Sequence, residues 1–108
     1  MRTPKIGTKV RGSTTGRPIM VALDLLGRRG TLRILWELRD APLTFRALQD
    51  AVQTNPSLLN TRLRELREAG WIEHQGGGYR LTAVGVRLLA AMKPLYGWAQ
   101  QWDKTNAG

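Results

Sequence analysis

Apolar residues recur at the three- and four-residue spacing of helices from Pro18 to Gly70, switch to the two-residue period of strands, and return to helical spacing from Thr82 onward. The first helical segment, PIMVALDLLG, opens at Pro18 and stops at Gly27. It aligns Ile19, Ala22, Leu23 and Leu26 on one stripe, which is expected to enter the core. The second segment, TLRILWELRD, begins at Thr31, is expected to bury Leu32, Leu35 and Leu38, and is broken by Ala41 and Pro42. Leu43 can supply a minimal strand. Thr44 then suits the N-cap of a third helix, FRALQDAV, with Phe45, Leu48 and Val52 inward.

The fourth segment has the most legible ends. Asn55 is a preferred N-cap, Pro56 stands at the first helical position where its missing N–H is not needed, and Gly70 marks the stop. At about 100° per residue, Leu59, Leu63 and Leu66 fall on one side, with Ser57, Asn60, Thr61, Arg64 and Glu68 on the other. The hydroxyl, amide and guanidinium groups of that outer side suit base edges and phosphate oxygens in a major groove, and suit a solvated helix face equally well. The short link of Gln53 and Thr54 is what a helix-turn-helix needs for its second helix to cross the first steeply. Arg46, near the start of the supporting helix, then either reaches a phosphate or is simply solvated.

Residues Trp71 to Gln75 and Tyr79 to Leu81 read as two short strands, with Gly76, Gly77 and Gly78 supplying the positive φ angles of a tight hairpin. Alternation is expected to send Ile72 and Leu81 to the core and His74 and Arg80 to solvent or to a phosphate. Thr82 caps a final helix in which Val86, Leu89, Met92, Tyr96 and Ala99 recur at helical spacing, widened by Leu88, Leu95 and Trp102. Pro94 is expected to kink or split it. So much apolar surface exceeds what a lone small domain covers. Trp98 and Trp102, one turn apart, point to packing against a second subunit, with a ligand pocket as the alternative.

Composition sharpens this picture. At 108 residues the chain forms one domain, small enough that pairing with a second copy adds useful burial, so a dimer is expected. Lys and Arg number 17 against 8 Asp and Glu, a net charge of +9 with a pI near 11.3, which favours a polyanion, with nucleic acid the default partner. No apolar run approaches the ~20 residues of a spanning helix and no signal sequence follows Met1, so a cytoplasmic protein is expected. The absence of cysteine excludes disulfides, thiol nucleophiles and thiolate metal sites, and a single histidine argues against a His-rich metal site. The acidic residues are scattered beside Arg or Lys, as Glu65 and Glu68 are beside Arg67. Neither catalysis nor a cofactor is therefore expected.

Three regions follow: a basic arm over 1–17, a domain over 18–103 that ends in the terminal helix, and a tail over 104–108. The arm carries Arg2, Lys5, Lys9, Arg11 and Arg17 without an acidic residue, and is either a DNA strap, through residues such as Arg11 and Arg17, or a solvated tail. Two rivals to a sequence-specific DNA-binding regulator remain open at this point. One is an architectural, nucleoid-type protein that coats DNA without preference, and the other is a winged helix used as a protein adaptor through its tryptophan surface.

Several motifs resemble the HxlR-type family of bacterial transcriptional regulators over roughly residues 18 to 103. ALDLLGRRGTLRILWEL at 22–38 is similar to that family's opening helices, NPSLLNTRLRELREAGWIE at 55–73 to its reading helix, YRLTAVG at 79–85 to its last strand and turn, and PLYGWAQQW at 94–102 to its dimerising tail. The resemblance implies a mainly α fold with a small β-hairpin, a winged helix-turn-helix dimerising through its N- and C-terminal helices. It implies a homodimer held through Ile19, Leu23, Leu89, Met92, Tyr96, Trp98 and Trp102, acting as a repressor at a near-palindromic operator. Ser57, Asn60, Thr61 and Arg64 would meet bases, and Arg62, Arg67 and Arg80 would meet phosphates. Members that sense oxidants or electrophiles use an N-terminal cysteine, which this chain lacks. Any other effector would act by changing the angle between the two reading heads.

Overall fold

A computed structural model describes residues 17–107. Five helices and one hairpin follow in the order α1 (Pro18–Leu26), α2 (Thr31–Glu37), α3 (Phe45–Val52), α4 (Pro56–Glu68), β1 (Ile72–Gln75), β2 (Gly78–Leu81) and α5 (Ala83–Ala107). The caps expected from sequence are formed. Thr44 Oγ1 accepts the N–H of Ala47 at 3.1 Å, and Asn55 Oδ1 accepts that of Leu58 at 2.8 Å. Helix α4 ends in a Schellman turn: Gly70, at φ 79°, donates to the Arg67 carbonyl and Trp71 donates to that of Leu66. Thr82 closes the next corner, accepting the Gly85 N–H and donating to the Gly70 carbonyl at 2.6 Å.

One core joins α2, α3, α4 and the hairpin, built from Ile34, Leu35, Leu38, Leu48, Leu59, Leu63, Leu66, Ile72 and Tyr79. Phe45, Val52, Leu81, Leu88 and Leu89 pack on its margins. A single bridge pairs Leu43 with Tyr79, so the hairpin's outer strand is held by the stretch before α3. Gly85 is buried against the same corner. A β-carbon there would lie 2.1 Å from the Trp71 carbonyl oxygen, so this contact admits only glycine without a backbone shift.

The structure corrects several expectations. In α1 the buried residues are Val21 and Leu25, whereas Ile19 and Leu23 are exposed at 61% and 51%. Both sides of this helix are apolar, so periodicity does not say which one meets the core. In α2 the buried partner of Leu35 and Leu38 is Ile34, and Leu32 is exposed. That helix also ends at Glu37, before the expected break at Ala41 and Pro42. Arg39 turns back there, its guanidinium donating to the Trp36 carbonyl and lying 4.0 Å from the Trp36 ring. In the hairpin only Gly76 (φ 57°) and Gly77 (φ 80°) have positive φ, as a two-residue I′-type turn requires. Gly78 belongs to β2 and pairs with Gln75. Helix α5 is not split at Pro94, which lies inside it on an exposed position. It runs on to Ala107 through residues placed in the tail.

Candidate nucleic-acid interface

The site is organised by α4. Its inward leucines, Leu59, Leu63 and Leu66, are fully buried and fix the helix's rotation about its own axis. Ser57, Asn60, Arg64, Arg67 and Glu68 are thereby left exposed. Arg64 and Arg67 make no ion pair or side-chain hydrogen bond among the described residues, so both guanidinium forks remain open to an acceptor from outside. Thr61 is half-buried, and its hydroxyl donates to the Ser57 carbonyl at 3.1 Å. Asn60 keeps a full amide at the surface. This face offers donors and acceptors with one negative group, Glu68, at its far end.

Two arginines assigned to phosphates lie elsewhere. Arg62 points into the fold, where its Nε donates to the Arg29 carbonyl at 2.7 Å and its Nη1 to Glu65 at 3.0 Å. Its position on the helix, between the leucine stripe and the outer face, brings it against the turn after α1. Arg80 is exposed but engaged by Glu73 and Gln75, because Glu73 and Arg80 are directly opposed in the antiparallel register. His74 shares the face of Ile72 and Leu81, so it does not accompany Arg80. It stacks on Tyr79, ring centroids 4.2 Å apart. Arg46 and Arg17 are exposed, Arg17 preceding α1, and Arg11 lies outside the described residues.

A feature not foreseen from sequence is the burial of Glu65, 1% exposed in the middle of α4. Arg28, from the turn between α1 and α2, donates to it at 2.6 Å and to Asp24 at 2.8 Å, while Arg62 holds its other oxygen. Two cations thus satisfy both oxygens of a carboxylate that would otherwise be costly to bury. The Asp24–Arg28 spacing of one helical turn was visible in the sequence; the link to Glu65, 37 positions from Arg28, was not. The cluster floors a cavity of about 440 Å³ bounded by Leu23, Gly27, Arg29 and Thr61.

The residues assigned to a subunit interface divide in two. Leu89 packs against the chain's own core and Met92 is half-buried, while Tyr96 stacks on Trp36 at 6.4 Å between ring centroids yet stays exposed. Ile19, Leu23, Trp98 and Trp102 are left open, the two tryptophans stacked on each other at 5.7 Å. Among the described residues no cluster of His, Cys, Asp and Glu is suited to a metal ion, and no helix is long and apolar enough to cross a membrane.

Comparison with known proteins places this geometry. The family described as the HVO_A0261 N-terminal domain matches residues 22–101. The HTH-type transcriptional regulator MJ0925 of Methanocaldococcus jannaschii, itself described as uncharacterized, is 26% identical over 87 residues, covering 76% of this chain and 82% of its own length. Quinone-bound YodB from B. subtilis is 31% identical with a TM-score of 0.74, covering 77% of this chain and 96% of YodB. The transcriptional repressor BigR from Xylella fastidiosa, at 22% identity and a TM-score of 0.64, covering 75% of this chain and 85% of its own, shares the fold. The described residues form a winged helix-turn-helix with α3 and α4 as its helix pair and β1–β2 as its wing.

Proposed function

The chain belongs to the HVO_A0261 N-terminal domain family, and on that premise we propose that it is a cytoplasmic, non-catalytic DNA-binding transcriptional regulator of the HxlR type, a homodimeric repressor at a near-palindromic operator. The observation that carries this reading is the outer face of α4, where Ser57, Asn60, Arg64 and Arg67 stand exposed on a helix whose rotation is set by three buried leucines. Asn60 and Arg64 are suited to base edges, Asn to adenine and Arg to guanine, with Ser57 and Thr61 beside them. Arg67 and Arg46 supply phosphate contacts, and Arg80 joins them by exchanging Glu73 for a phosphate. A net charge of +9 supports salt-sensitive affinity for a polyanion.

A second copy completes the reader. Ile19 and Leu23 on α1, with Leu95, Trp98 and Trp102 on α5, are apolar side chains more than half exposed in the single chain, and they form the dimer contact of this proposal. Two-fold pairing presents two α4 helices to successive major grooves about one helical turn apart. Bound across a promoter, such a dimer blocks polymerase. Selection of bound fragments from a randomised duplex pool at near-physiological salt tests the reading: a two-fold symmetric motif is expected. Binding without enrichment would point instead to an architectural protein, and absence of binding to an adaptor.

A further inference from the structure

Within the proposed dimeric reader, on which this inference rests, we propose that the part-buried chain Asp24–Arg28–Glu65–Arg62, centred on the buried Glu65, is the positioning element that sets the angle of α4 relative to α1, and so determines the spacing of half-sites the dimer accepts. The leucines of α4 fix which side faces outward by joining the core of α2, α3 and the hairpin, at whose margin Leu26 of α1 also packs. The charged chain adds a directional side-chain link between the middle of α4 and the end of α1. Asp24 lies next to Leu23 of the open apolar face, Arg28 follows one turn later, and Glu65 receives Arg28 at 2.6 Å from the middle of the reading helix. Arg62 locks the same carboxylate and also holds the backbone of the turn through the Arg29 carbonyl. The path from the proposed dimer face to the DNA-facing helix therefore runs through four side chains, each link 3.0 Å or shorter.

Bidentate or doubly held guanidinium–carboxylate pairs fix orientation as well as distance, in a way that apolar contacts between leucines do not. A buried ion cluster is weak evidence for stability, since apolar replacements of similar volume are often as stable. Placement at the junction of two functional helices is better explained by geometry that must be held. None of the four residues needs to touch DNA; they act through the position of Asn60 and Arg64.

The test is a duplex library in which the half-site selected by the wild-type protein is kept and the centre-to-centre spacing is varied around one helical turn. Wild type is expected to prefer one spacing. Glu65→Gln, which keeps the volume and removes the charge, is expected to bind the same half-site sequence while its spacing preference falls about fivefold or more, the low end of coupling between linked sites. A spacing preference as sharp as wild type in Glu65→Gln overturns the proposal, because a merely structural role lowers the melting temperature and leaves spacing unchanged. If Glu65→Gln fails to fold, Asp24→Asn decides in the same way, since it removes only the outer link: broadened spacing supports the positioning role and unchanged spacing overturns it. If wild type itself selects no half-site, the dimeric reading has failed, an outcome distinct from a sharp variant.

Discussion

The apolar side chains of the reading head and those of the two terminal helices meet different fates. In the head, Ile34, Leu48, Leu59, Leu63 and Leu66 are sealed to 2% exposure or less within a single chain. On α1 and the distal part of α5, residues of the same chemistry, Ile19, Leu23, Trp98 and Trp102, remain more than half exposed. The head is thus complete in itself, and its precision comes from packing. The terminal helices carry apolar surface open to water, which the proposed dimer would cover. A reader of a two-fold site needs both kinds of region: one that holds its shape alone and one that finds a partner.

That contrast can be broken in order of expected effect. Leu59→Ala, at the contact of α4 with the core, is expected to destabilise the monomer by about 2–5 kcal/mol in denaturant unfolding, since the surrounding side chains cannot collapse fully into the space. Trp98→Ala combined with Trp102→Ala is expected to leave far-ultraviolet dichroism largely unchanged but to weaken dimerisation by about 2 kcal/mol or more, roughly thirtyfold, by analytical ultracentrifugation. A dimer of wild-type affinity would show that this face is not the interface. Arg64→Ala is expected to cost about 1–3 kcal/mol at one base position and relax discrimination there, whereas Arg67→Ala should weaken all sequences alike and reduce the salt slope by about 1. Identical behaviour of the two across a binding-site library would remove the distinction between base and phosphate contacts. The smallest effect is expected for Asn55→Ala, which loses the cap of α4 and about 1 kcal/mol of stability.

The legibility of the sequence follows the same division. Helix α4 was readable from end to end because Asn55, Pro56 and Gly70 act locally and its leucines lie on one side only. Helix α1 is ambiguous in the sequence because Ile19 and Leu23 oppose Val21 and Leu25, so two apolar sides compete and only tertiary packing decides. The same holds for Leu32 against Ile34. The arginines assigned to DNA are separable by sequence only in part. Arg64 and Arg67 are exposed as expected, but Arg62 turns inward to Glu65 and the Arg29 carbonyl, and the meeting of α4 with the turn after α1 that draws it there joins residues more than thirty positions apart and is a property of the fold. The cross-strand hold of Glu73 on Arg80 depends on hairpin register, which alternation alone does not fix and which is set by the two-residue turn that makes Gly78 a strand residue paired with Gln75.

In the proposed function, the outer face of α4, presented twice by a dimer, reads the major groove. Methylation interference at guanine N7 on a selected duplex tests it most directly, because that atom lies in the major groove and is a partner of arginine. Two interference patches about 10 base pairs apart are expected, related by two-fold symmetry, with loss of one guanine from each patch in Arg64→Ala. A single patch, or interference that Arg64→Ala leaves unchanged, would contradict it.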